Sequence, residues 1–327
     1  MNIWYSLLLI VVLFLVALLG VQSPLVFGVI IPYLAISIFI LGIIYRVVKW
    51  ARSPVPFRWP TTAGQQKSLP WIKPNNLESP YNTWGVLGRM TLEILLFRSL
   101  FRNTKVELRD GSRILYGSEK FLWLGAMIFH WCFLIILLRH FRFFTEPVIA
   151  FVHWLQSVDG MFAISVPTLY ISSILILVAL IYLFGRRIFN PQVRYISLFT
   201  DYFALFLLIT VVVSGIWMRH LDKVDIIKVK ELAMGLVAFS PTVQEGIGVI
   251  FYIHLFFVSV LLIYFPFSKL MHMGGVFFSP TRNLANTNRM KRHINPWNPK
   301  VKIHTYEEYE DDFRDLMKNV GLPLDKE

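Results

Sequence analysis

FLWLGAMIFHWCFLIILLRHF, residues Phe121 to Phe141, is an apolar run long enough to cross a bilayer, and it carries two histidines, His130 and His140, ten positions apart. A second run, Gly248 to Leu270, holds His254 and leads into His272, eighteen positions further on. Ionisable groups are costly at membrane depth, so four imidazoles in two spanning segments call for a partner that compensates them. Haem iron suits paired imidazoles best.

The whole chain supports a membrane setting. Of its 327 residues 56% are hydrophobic and 16% aromatic, with a mean hydropathy of +0.58, too apolar for one soluble domain. Six runs are expected to span as helices: Ile3 to Gly20, Leu25 to Val48, Phe121 to Phe141, Val166 to Phe184, Leu198 to Met218 and Gly248 to Leu270. The first has no basic residue before its apolar run and no small-residue cleavage site near Val21, Gln22 and Ser23, so it is read as a retained span rather than a signal peptide. The single cysteine, Cys132, excludes an intrachain disulfide and a cysteine-ligated iron–sulfur cluster within this chain. A net charge of +12 without a basic, aromatic-interleaved soluble domain speaks for topology rather than nucleic acid.

The positive charge is unevenly placed. Thirteen Lys/Arg lie between Arg46 and Lys120, ten from Lys269 onward, and three more are Arg186, Arg187 and Arg194, which puts 26 of 32 on one side of a six-span topology. By the positive-inside rule that side, with both termini, is cytoplasmic in an inner-membrane protein. The third and sixth spans are then antiparallel. Eighteen helical positions return to the same face over about 27 Å, whereas ten positions cover about 15 Å and land about 80° away. The third helix must therefore tilt for both of its histidines to meet the sixth. The match pairs His130 with His272 at an inner b-type haem and His140 with His254 at an outer one. The chain has no Cys-x-x-Cys-His motif, so the two haems are non-covalent.

Taken singly, each of these histidines is more often an interhelical hydrogen-bonding or water-cavity residue than a ligand, and His140 and His272, near the interfaces, are open to simple solvation. Four arranged as two pairs on antiparallel helices favour haem. His220, at the end of the fifth span, competes for an outer ligand role; His153 reads as interfacial, His293 and His304 as surface residues.

Phe129-His130-Trp131 through Leu138-Arg139-His140, then Ile253-His254-Leu255, then Phe265-Pro266-Phe267-Ser268-Lys269-Leu270-Met271-His272 resemble the gamma, cytochrome b, subunit of respiratory nitrate reductase. The resemblance extends from about Leu25 to Gly275 and implies an all-α integral membrane protein, a five-helix di-haem quinol-oxidising bundle preceded by one extra span. The resulting layout has three parts: 1–24 as the extra helix, 25–275 as the di-haem domain with a cytoplasmic loop at about 49–118, and 276–327 as a cytoplasmic tail. The extra span, the long loop containing Phe97-Arg98-Ser99-Leu100-Phe101-Arg102-Asn103-Thr104, and the tail are most similar to the DsrM-type cytochromes of DsrMKJOP complexes, which are associated with dissimilatory sulfite reduction. That similarity implies menaquinone as lipid substrate and a cytoplasmic, heterodisulfide-reductase-like iron–sulfur partner of the DsrK type, alongside the other subunits of such a complex.

Two stacked haems make a wire that needs a two-electron partner at one end, and a quinone suits the lipid side. Candidate quinone contacts near the outer haem are Arg139, Arg142, Arg219, Asp222 and Lys223, although basic residues at helix ends also snorkel or pair with haem propionates. Asp201 is an intramembrane carboxylate and so a functional candidate, or else is satisfied by hydrogen bonds to Thr200 or Tyr202 neighbours. Gly88 to Phe101 reads as an amphipathic helix on the inner membrane surface, and Thr305-Tyr306-Glu307-Glu308 as a capping box opening a tail helix. The chain has no phosphate loop, metalloprotease motif or nucleophile elbow. The expected role is that of the quinone-reactive electron-transfer subunit of an oxidoreductase complex. The alternative is a transporter using membrane histidines for proton relay or metal binding, which would show internal repeats and helices interrupted near the midplane.

Overall fold

Apolar runs that satisfy their own backbone hydrogen bonds are the structural response to a bilayer, and the computed structural model of this chain is built from them. It describes residues 2–55, 64–109, 113–162, 164–291, 300 and 302–326. In chain order the helices are α1 (Asn2–Ala17), α2 (Ile31–Ala51), α3 (Thr83–Leu96), α4 (Arg98–Phe101), α5 (Lys120–His140), α6 (Ala150–Asp159), α7 (Ile171–Phe189), α8 (Pro191–Ile196), α9 (Phe199–His220), α10 (Ile226–Val237), α11 (Val249–Tyr264), α12 (His272–Phe278), α13 (Pro280–Asn283) and α14 (Tyr306–Asn319). Among the described residues six segments have the length and apolarity of membrane spans: Asn2–Gly20, Val26–Ala51, Lys120–Phe143, Ile171–Phe189, Phe199–His220 and Val249–Phe267. The protein is a multi-pass helical membrane protein, with Leu8, Leu41, Val178 and other large apolar side chains exposed on the spans.

α5 packs on α7, α7 on α9, α9 on α11 and α11 on α2, while α1 lies against α9 and α11. The buried seam includes Ile176, Leu180, Leu207, Phe256 and Phe257. α1 is integral to this bundle, and its Ser6 hydroxyl donates to the Phe199 carbonyl at 2.9 Å. α2 meets the end of the sixth span at a glycine: a Cβ on Gly42 would stand 2.7 Å from the Pro266 Cβ, a close approach that only a missing side chain allows. α5, which carries His130 and His140, and α11, which carries His254, are not among the helix pairs in extensive backbone contact.

Several local expectations change. The fourth span starts at Ile171 rather than Val166 because Pro167 lacks a backbone donor and Tyr170 is extended, and it runs on to Phe189 with Arg186 and Arg187 in its last turn, where cations meet the helix dipole favourably. The sixth span is not one helix from Gly248 to Leu270. α11 ends at Tyr264, Pro266 sits in a tight turn at Phe265–Phe267, and a second tight turn at Lys269–Met271 precedes His272. Continuous helical phase therefore does not relate His254 to His272. The amphipathic segment starts earlier than Gly88: Asn82 caps α3 by accepting from the Gly85 N–H at 2.8 Å, and the helix breaks at Phe97 before α4 resumes. The same connection contains an antiparallel hairpin, β1 (Thr104–Arg109) with β2 (Arg113–Ser118), for which the Asp110-Gly111 pair in the sequence was the available signal. α14 has the expected capping box between Thr305 and Glu308.

Candidate functional site

Two histidine pairs lie between α5 and the end of the bundle formed by α11 and the segment after it. On the side of the 46–120 connection, the His130 and His272 ring centroids are 5.7 Å apart with planes at 85°. On the opposite side, His140 and His254 are 6.5 Å apart with planes at 14°.

The hydrogen bonds at the far side of each ring decide its tautomer. His130 Nδ1 lies 2.8 Å from the Ala126 carbonyl, His140 Nδ1 2.7 Å from Ile136, and His272 Nδ1 2.8 Å from Lys269. A carbonyl only accepts, so each of these Nδ1 atoms carries the proton. His254 Nδ1 is 3.0 Å from the Ser214 Oγ, whose own hydroxyl donates to Val211 at 3.1 Å and so accepts from the imidazole. All four rings thereby keep an unprotonated Nε2, the arrangement that outer hydrogen bonds impose on metal-ligating histidines.

The spacing fits a haem. An iron about 2 Å from each imidazole nitrogen, with each ring centroid about 1.2 Å beyond, sets centroids about 6.4 Å apart. The observed separations of 5.7 and 6.5 Å bracket that value. Space beside one ring is also prepared: a Cβ on Gly215 would stand 3.2 Å from His254 Cε1.

Other elements hold these rings in place. Asp201 is not satisfied by Thr200 or Tyr202 neighbours. It accepts from Lys269 Nζ at 2.8 Å and from the Leu198 N–H at 3.0 Å, with Arg187 at 3.9 Å, so it fastens the turn whose Lys269 carbonyl orients His272. Beneath the His130–His272 pair, α3 and α4 form a cap. Glu78 pairs with Arg98 and Arg102, Arg282 pairs with Glu93, and the Asn286 side chain donates to the buried Ser79 hydroxyl at 2.9 Å. Burial pushes the Glu93 carboxyl up, but the Ser99 hydroxyl and N–H and the nearby Arg282 outweigh it and hold the group below the usual carboxylate range.

Of the quinone-contact candidates, Arg139 and Arg219 come together at Tyr170, their guanidinium carbons 3.7 and 4.5 Å from its ring centroid. Arg139 is buried and pairs with Asp159 at 2.6 Å, while Asp159 accepts from the Ser172 N–H and hydroxyl at 2.8 and 2.7 Å. Arg219 donates twice to the Thr168 carbonyl. Arg142 lies over Phe143, and Asp222 and Lys223 are exposed in the link after α9. His220 makes no ring contact with another histidine among the described residues. His153 is exposed, His304 lies 3.9 Å from Asp312 at the surface, and His293 falls outside the described residues.

Asp159, Ser172, Tyr170, Ser214, Gly215 and Phe97 were not singled out from the sequence. Asp159 within a span-to-span connection, facing the single buried arginine of α5, was a usable signal; the glycine and serine beside His254 had none.

Paired imidazoles with free Nε2 atoms inside a helical membrane bundle define the architecture of a membrane cytochrome b. The family model of the nitrate reductase gamma subunit matches residues 82–293, and the chain belongs to that family. It is 48% identical over 281 residues to the Hdr-like menaquinol oxidoreductase cytochrome b-like subunit of Archaeoglobus fulgidus, covering 84% of each chain. The protein of the same description from Archaeoglobus profundus is 42% identical over 279 residues, 83% of this chain and 82% of that one. The respiratory nitrate reductase 1 gamma chain of Escherichia coli K12 is 28% identical over 165 residues, 47% of this chain and 71% of that one.

Proposed function

We propose that this membrane cytochrome b subunit holds two b-type haems, His130 with His272 and His140 with His254, and passes electrons between menaquinone or menaquinol and a cytoplasmic iron–sulfur partner. The observation that carries the reading is the presence of two facing imidazole pairs, each ring with its Nδ1 engaged by a protein acceptor. Haem iron, when bound, supplies one-electron redox chemistry at each pair. The chain's own work is to fix the tautomers and set the two sites on opposite sides of the bilayer.

Both termini and the 46–120 connection face the cytoplasm in this reading, which makes the His130–His272 pair the inner one. At the outer end Arg139, Arg219, Tyr170 and Asp159 form a charged cluster beside His140. There a guanidinium can donate to a quinone carbonyl, and Asp159 can take a hydroxyl proton. The relatives' description as Hdr-like menaquinol oxidoreductase subunits supports menaquinol as the lipid substrate and a heterodisulfide-reductase-like, DsrK-type protein as the cytoplasmic partner. Within sulfur respiration the complex would serve sulfite or sulfate reduction. The basic cap around Arg98, Arg102 and Arg282 lies on the side where such a partner would dock.

The test is a pyridine haemochrome assay with a reduced-minus-oxidised spectrum of the purified full chain. Two non-covalent b haems per chain are expected, and a chain without haem overturns the proposal. A reporter fused after Glu327 that is active only outside would reverse the inner and outer labels.

A further inference from the structure

Phe97 stands where a helix normally ends in glycine. Its φ of 48° and ψ of 47° are left-handed, and its N–H closes α3 by donating to the Glu93 carbonyl at 3.1 Å. A bulky residue in this region is strained, whereas glycine adopts it freely. The backbone turn therefore does not need a side chain, and the ring's contacts say what it does there. The Phe97 and His130 centroids are 5.0 Å apart with planes at 80°, and Phe129 meets the same imidazole at 4.9 Å and 79°.

The segment presenting Phe97 is fixed on both sides. The indole N–H of Trp123 donates to the Leu96 carbonyl at 2.7 Å and that of Trp131 to Leu95 at 3.1 Å, so two α5 side chains take up the last carbonyls of α3. Phe101 meets Trp123 edge-on at 4.9 Å, and Arg98 and Arg102 tie α4 to Glu78. The Nδ1 hydrogen bond to Ala126 and the edge contacts of Phe97 and Phe129 together restrict rotation of the His130 ring about its link to the helix.

We infer that Phe97 is a positioning residue that fixes the imidazole plane of His130 and thereby holds the inner histidine pair crossed, at 85° where the outer pair is nearly parallel at 14°. The inference rests on the proposed haem ligation. In a ferric haem with two imidazoles, crossed planes leave the iron orbitals nearly degenerate and give a strongly axial electron paramagnetic resonance signal, whereas parallel planes give a rhombic one.

The experiment compares the oxidised, purified full chain with its Phe97→Gly, Phe97→Tyr and His272→Ala variants by low-temperature resonance, haem content and thermal melting. The unsubstituted protein should show one strongly axial and one rhombic signal, with the axial one absent in His272→Ala. In Phe97→Gly the axial signal should collapse toward the rhombic form at unchanged haem content, while melting is unchanged or higher because the strain is relieved. Phe97→Tyr should keep it. Two rhombic signals in the unsubstituted protein, an unchanged axial signal in Phe97→Gly, or a change confined to the rhombic signal would overturn the inference while leaving the two-haem reading intact. Absence of haem from the unsubstituted protein would instead remove the reading beneath it.

Discussion

The two histidine pairs use the same donors and differ in almost everything around them. The outer pair joins two continuous helices and is set by interhelical packing, with Ser214 and Gly215 of α9 placed against His254. The inner pair joins a helix to the segment after a proline break, and its rings are held by parts that lie outside the spans: the Lys269 turn, the α3–α4 cap and Phe97. A bundle seam thus shapes one site and a surface assembly the other. Changes to the α3–α4 cap should reach only the His130–His272 site.

The strongest break in this comparison comes from the ligands themselves. His130→Ala and His272→Ala should each lower haem content from two to one and leave the same spectrum behind, while His140→Ala and His254→Ala should leave the other. Haemochrome titration with optical spectra checks this, and a His220→Ala chain that loses a haem when His140→Ala does not would move the outer ligand to His220. Next in size, Arg139→Met strands the buried Asp159 carboxylate beside Ser172, a change that should lower stability by about 3 kcal/mol and be seen as earlier thermal unfolding in detergent. Haem content at the inner pair should be unaffected.

Gly215→Ala sharpens the comparison more gently. The new methyl would meet His254 Cε1 at 3.2 Å, so the ring must yield by a few tenths of an ångström, at about 1 kcal/mol. The outer haem's optical band should shift while the inner one stays. The smallest effect lies farthest from both pairs. Glu310 is held below its usual value by backbone N–H donation from Asp325 and Lys326, with burial opposing and Arg314 assisting. Its folded value lies below the unfolded one, about 4.3, so its contribution is complete above that pH and is lost as pH falls through the folded value. Amide protection at Asp325 and Lys326 should fall in that acid window, and Glu310→Gln should remove the dependence without touching either pair.

The spans were legible because a bilayer demands long apolar helices, and the histidines because ionisable groups inside such helices, or just past the end of one as with His272, stand out. What the sequence could not display were contacts made across many residues. The reason given for His254 and His272 sharing a side, eighteen positions of unbroken helix, does not hold, since Pro266 ends α11 and a turn pinned by Asp201 and Lys269 delivers His272 instead. The motif residue Lys269 was visible, but its partner sixty-eight positions earlier was not. Phe97 looked like one apolar position in an amphipathic stripe; only its left-handed backbone separates it from its neighbours.

α5 contributes one half of each histidine pair, and the other halves arrive with the last span and the turn after it. During synthesis the chain therefore emerges with both half-sites open, and the bundle of α5, α7 and α9 must persist in the bilayer before either is complete. Insertion of the sixth span then closes both at once. With both pairs ligating haem as proposed, a chain truncated before Val249 should insert as a cofactor-free membrane protein rather than as a half-loaded one.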